Sequence, residues 1–157
     1  MSGKLFLLVC TAVFLFILPL ETDAQTSRKA VGAAEVNGTF RSYFKGKFKG
    51  SFNEIKILAL GKGKLKFRFD LIRPYIDGAG DLSANMGEAE GVGEIFGDTG
   101  VFTMEEFGAC KILVKFVKPG EIKVEQSREE SDCGFGHNVT AGGTYKKFSG
   151  AKPEFGK

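Results

Sequence analysis

From Leu65 to Leu71 every second residue is large and apolar (Leu65, Phe67, Phe69, Leu71), while Lys64, Lys66, Arg68 and Asp70 take the positions between. A period of two places successive side chains on opposite faces of an extended chain, so this stretch reads as a β-strand with one dry and one wet face. The same period recurs elsewhere. Ile55, Ile57 and Ala59 come before it across the turn Gly61-Lys62-Gly63, giving the clearest hairpin in the chain. Further on, Cys110, Ile112, Val114 and Phe116 alternate with Lys111 and Lys115. Lys118-Pro119-Gly120-Glu121 then turns the chain into Ile122, Val124 and Gln126, and Gly143 to Phe148 reads as a closing strand.

Other segments carry the pattern with variations. Phe40, Ser42, Phe44, Gly46, Phe48, Gly50 and Phe52 alternate with Arg41, Tyr43, Lys45, Lys47, Lys49 and Ser51, which predicts an aromatic face backed by a basic one, with a break near Gly46 to Gly50. Gly87, Ala89, Gly91, Gly93 and Ile95 make one side of a strand very small, leaving room for neighbouring rings inside a tight barrel. Gly97 to Gly100 is a turn and Val101 to Glu105 its partner strand. Arg73 to Asn85 contains Pro74, Gly78 and Gly80 and reads as a long surface connection. With 16 phenylalanines, no tryptophan and no amphipathic helix, the fold class predicted is all-β: one antiparallel meander of about eight strands forming a small barrel or sandwich, closure being the economical way to remove exposed edges.

Lys4 precedes an apolar run from Leu5 to Leu20, followed by Glu21-Thr22-Asp23-Ala24, the arrangement of a secretory signal ending at residue 24. The expected organisation is a signal peptide over 1–24, a flexible lead-in over 25–36, a β-domain over 37–148 and a loose tail over 149–157. The expected destination is secreted or periplasmic, with no later segment apolar enough to span a bilayer. Cys10 falls within the signal, so Cys110 and Cys133 remain and are expected to pair in an oxidising compartment.

The formal net charge is only +3, but it is unevenly distributed. Arg41 to Arg73 holds ten basic and two acidic residues, and Asp77 to Glu106 eight acidic and none basic, which predicts one positive and one negative surface.

Catalytic chemistry finds little purchase. His137 is the single histidine and has no serine or cysteine beside it to activate. Glu105-Glu106 and Glu129-Glu130 are adjacent, so on a strand their carboxylates diverge. Gly91-x-Gly93 and Gly134-x-Gly136 lack a strand-turn-helix setting for phosphate, and Asp77, Asp81 and Asp98 lack calcium-loop spacing. We therefore expect no enzyme, metal or cofactor. Nucleic acid is not an expected partner either, because the phenylalanines of 40–52 lie opposite the lysines and only Tyr43 shares their face. Asn37-Gly38-Thr39 and Asn138-Val139-Thr140 match the glycosylation sequon, which matters only in a eukaryotic secretory pathway.

One stretch carries a family resemblance. Cys110 opening an alternating strand, Val124-Glu125-Gln126, Asp132-Cys133-Gly134-Phe135-Gly136, Asn138-Val139 and Gly143-Thr144-Tyr145 resemble the carboxy-terminal part of small secreted bacterial β-proteins, some of them grouped with periplasmic lysozyme inhibitors. Barrel-type inhibitors of c-type lysozyme enter the enzyme cleft with a Ser-Gly-Ala-basic loop ending in tyrosine. Ser149-Gly150-Ala151-Lys152 is similar to that loop, although Pro153 replaces the tyrosine and the segment follows the last strand. The resemblance implies that Ser149 and Lys152 meet catalytic carboxylates. The expected function is thus an exported, non-enzymatic binding protein whose partner is a cell-wall hydrolase or another envelope component. Two alternatives stand beside it: a carrier of a small apolar ligand inside the barrel, and an envelope structural protein binding polyanions through its basic strands.

Overall fold

The computed structural model describes residues 30–105, 110–127 and 133–156. The expected signal peptide and residues 128–132 of the charged loop lie outside them. Eight strands follow one another: β1 (Gly38–Tyr43), β2 (Phe52–Gly61), β3 (Lys64–Ile76), β4 (Leu82–Phe96), β5 (Thr99–Met104), β6 (Cys110–Lys118), β7 (Glu121–Gln126) and β8 (Gly143–Ser149). Each pairs antiparallel with the next, and β1 pairs with β8 through Phe40↔Lys147 and Arg41↔Lys146. The meander therefore closes as a barrel and is not a sandwich.

The alternation decides what lies inside. Phe40, Ile55, Ile57, Leu65, Phe67, Phe69, Leu71, Ile112, Val114, Phe116 and Ile122 point inward and are at most 1% exposed. Phe67 stacks on Phe69 at 5.9 Å and meets Phe102 edge-on at 5.8 Å, while Phe40 meets Phe116 at 6.4 Å. Eight strands give an interior about as wide as the side chains needed to fill it, and here rings fill it. The small face of β4 makes the fit possible: a Cβ at Gly87 would meet Phe135 at 2.8 Å, and one at Gly91 would meet Phe102 at 3.0 Å.

Three sequence expectations are corrected by the fold. The run from Phe40 to Phe52 is not one aromatic face, because β1 ends at Tyr43 and the chain turns through a short 3₁₀ segment at Gly46–Phe48, with Gly46 at φ 62° and Gly50 at φ 103°. Only Phe40 reaches the core. Arg73 to Asn85 is not a loose connection, since β3 and β4 continue in register to Ile76↔Leu82. Pro74 is tolerated because it lies beyond the start of β2, on the side of β3 where no strand needs its missing N–H. The predicted positive and negative surfaces also do not separate. Strand pairing lays the basic β3 along the acidic β4, so that Lys66 meets Glu90 at 2.9 Å and Arg68 meets Asp70 at 2.9 Å, Glu90 at 3.3 Å and Glu88 at 3.6 Å.

Both barrel ends are covered. At one, helix α1 (Ala33–Val36) packs Val36 into the core, and the Lys147 ammonium donates to the carbonyls of Ala34, Glu35 and Asn37 at 3.1, 2.7 and 2.9 Å. Part of the lead-in is thus a plug. At the other end Cys110 and Cys133 are disulfide-bonded and buried, which ties the connection from β7 to β8 to the start of β6. The bridge closes a loop between residues 23 apart, and in the chain-entropy model this contributes about 3 kcal/mol. Replacing both cysteines by serine is expected to lower the urea midpoint and to raise the denaturant slope, because the unlinked unfolded chain exposes more surface; an unaltered midpoint would show that the bridge adds nothing.

Candidate functional site

Ser149 and Lys152 come together in a turn that leaves β8 and crosses the outer wall. Ser149 Oγ accepts the Ala151 N–H at 3.2 Å, and Gly150, Ala151 and Lys152 are exposed. The turn is anchored before and after. Upstream, Ser149 pairs with Thr39, and Gly38, at φ 145° and without a side chain, lets the Ser149 carbonyl approach closer than a Cβ would allow. Downstream, Pro153 is buried, and the Phe155 ring lies 4.6 Å from Lys66 Nζ. Residues 149–156, expected as a loose tail, are laid against the barrel.

Beside the turn runs an open groove of about 350 Å³, lined among others by Arg41, Glu54, Lys56, Phe148 and Glu154. Arg41 organises it. Its guanidinium lies 3.6 Å from the centre of the Phe148 ring and 4.1 Å from that of Phe52, and its Nε donates to Glu54 at 2.6 Å. Sandwiched between two rings and held by a carboxylate, this arginine is a fixed feature of the wall. The sequence reading missed it, because Arg41, Phe52 and Phe148 come from three strands whose register was not yet known. Phe148 itself is 58% exposed.

A second groove, about 580 Å³, opens between the end of β7 and the loop before β8, where Gln126 Oε1 accepts from Ala141 N–H at 3.0 Å and from the Thr140 hydroxyl at 3.3 Å. A smaller cleft near the disulfide-side end is lined by Ser42, Tyr43 and Phe44 together with Ile72 and Arg73.

The titratable groups serve the fold. His137 is exposed, and its carbonyl accepts from Asn85 Nδ2 at 2.9 Å. Tyr145 is fully buried and donates to the Ala141 carbonyl at 2.9 Å; burial pushes its phenol above the ordinary range, with Asn53 opposing the shift. On the outer wall Lys66, and then Arg68, hold the Glu90 carboxyl below its usual range despite some desolvation. Among the described residues no group of three or more histidine, cysteine or acidic side chains could hold a metal. The two sequons differ: Asn37 Oδ1 accepts the Ala59 N–H at 2.6 Å, whereas Asn138 is exposed in a turn at φ 58°.

No family model, curated protein or solved structure matches the chain.

Proposed function

We propose that this is an exported, non-enzymatic binding protein that presents the turn Ser149–Lys152 to a cell-wall hydrolase in the manner of a lysozyme inhibitor. The observation that carries the reading is the anchoring of that turn. A loop meant to enter a partner's cleft binds best when its shape is set beforehand, because less freedom is lost on docking. Ser149–Lys152 is held by a strand on one side and a buried proline on the other, with Lys152 exposed between them. An ammonium and a hydroxyl are apt partners for a pair of catalytic carboxylates. The disulfide and the lack of a membrane-spanning helix among the described residues fit an exported protein.

The rival readings have less support. A carrier needs interior volume, and the interior is packed with phenylalanine. Binding of polyanions through basic strands needs free cations there, whereas Arg41, Lys56, Lys66 and Arg68 each have a carboxylate within 4 Å.

The test is lysis of cell-wall substrate by a c-type lysozyme with and without the purified protein. Inhibition is expected, and Lys152→Ala is expected to weaken it roughly tenfold to a hundredfold, the effect of losing a hydrogen bond to a charged group. Lys118→Ala, at the exposed end of β6, serves as the unaffected control. Full lysis at high molar excess of the protein would remove this reading.

A further inference from the structure

Several cations on the strands are paired with carboxylates, among them Arg41, Lys56, Lys66 and Arg68. On the β1–β2 connection, Lys45, Lys47 and Lys49 are all exposed, and among the described residues no carboxylate stands within ion-pair distance of them. Lys47 Nζ lies 5.1 Å from the Phe48 ring, on the loop itself. This connection emerges from the same barrel end as the β3–β4 hairpin. The last β2–β3 pair is Glu54↔Asp70, yet β3 and β4 stay paired to Ile76↔Leu82. From the level of Phe52, where β2 begins, the hairpin therefore projects by about four residues, or roughly 13 Å at 3.3 Å each. Tyr43 and Phe44 line one cleft with Ile72 and Arg73, so the bases of the two projections face each other across it.

The projecting end also leaves apolar side chains uncovered, as the other end does at Leu60, Val92 and Phe96. Tyr43 is 54% exposed, Tyr75 40%, Ile76 42% and Leu82 60%. Arg73 adds a fourth exposed cation. The hairpin apex carries two carboxylates, Asp77 and Asp81, and Asp77 Oδ1 is occupied by the N–H groups of Ala79 and Asp81 at 2.9 Å each.

We infer that this end docks on the surface of a bilayer containing anionic lipid, the lysines meeting headgroups while Tyr75, Ile76 and Leu82 enter the interface. Charge alone would suit any polyanion. The apolar side chains decide for a membrane, since a soluble polyanion offers them nothing to be buried in, whereas the headgroup boundary takes amphipathic and apolar tips together. The Ser149–Lys152 turn leaves the opposite end of the barrel, so docking here keeps it accessible. The inference does not depend on the inhibitor reading.

Co-sedimentation of the purified protein with vesicles tests it. Binding is expected to vesicles of equal parts phosphatidylcholine and phosphatidylglycerol and not to phosphatidylcholine alone. About 1 M salt should release it by shrinking the screening length to roughly 3 Å. The triple variant Lys45→Ala, Lys47→Ala, Lys49→Ala should lower the partition coefficient roughly a hundredfold, from about 1 kcal/mol per lysine near a charged surface. Ile76→Ser with Leu82→Ser should lower it several-fold. All five positions are exposed, and unfolding midpoints equal to wild type confirm that the variants are folded. Vesicle binding that survives the triple lysine variant overturns the inference. So does a tip variant that binds vesicles as well as wild type while dextran sulfate competes fully, which would assign the lysines to a soluble polyanion.

Discussion

Replacing Gly93 with alanine is expected to lower the unfolding free energy by about 3 kcal/mol, near the upper end of what overpacking a tight interior produces. A Cβ there would overlap the carbonyl oxygen of Val101 and stand 3.1 Å from the Phe67 ring. Because the oxygen belongs to the backbone, no change of rotamer relieves the overlap. The position matters doubly, since β4 and β5 are joined by only three pairs, Glu94↔Val101, Ile95↔Gly100 and Phe96↔Thr99, immediately beside it. The sheet stays continuous only through this short seam. Urea unfolding followed by circular dichroism measures the loss, and a midpoint equal to wild type would mean that β5 does not approach Gly93 so closely.

Phe67→Ala removes the ring at the centre of the aromatic cluster and should destabilise by about 3–5 kcal/mol, through lost transfer energy and the cavity left behind. Phe67 has no exposed surface and touches Phe69 and Phe102. It also lies over Gly100, where a Cβ would stand 2.9 Å from the ring edge. Gly100→Ala is therefore harmful in the wild-type background. In the Phe67→Ala background the added methyl occupies vacated space, so the double variant should be less destabilised than the two single losses combined. Simple additivity would show that the small residue and the ring are not in contact.

These two experiments probe what was most legible in the sequence and what was least. That Phe67 faces inward follows from the alternation of Leu65, Phe67, Phe69 and Leu71, a local pattern that needs no knowledge of neighbours. That Gly93 faces inward was legible in the same way, from the small face of Gly87 to Gly93. Which backbone and which rings press on that face was not, because it depends on the register of β4 against β5 and β3. The charges make the same point. Read along the chain, Lys66 and Arg68 belong to a basic segment and Glu88 and Glu90 to an acidic one; only the pairing of β3 with β4 sets Arg68 opposite Glu90 and cancels the expected separation. Had Asp77–Asp81 been read as the apex of a hairpin, counting back from it would have produced those pairs.

The candidate sites divide likewise. Ser149 and Lys152 were visible as a tetrapeptide motif, and Cys110 with Cys133 as the pair that remains once the expected signal segment is set aside. The Arg41 sandwich was invisible, since it is assembled from strands at opposite ends of the sequence. So was the pairing of Lys66 and Arg68 with Glu90, because ion pairing is decided by cross-strand neighbours.

The order of residues alone determined that this chain forms alternating strands, turns at its glycines and carries two cysteines fit to be joined, because side-chain direction in a strand and the conformational freedom of glycine act over one or two residues. The tertiary structure decided that the meander closes into a barrel, that its interior is full, that residues 149–156 are tied to the wall and that the basic β3 lies paired along the acidic β4. Each of these turns on which distant strands become neighbours, and that is set by the closure of the whole sheet.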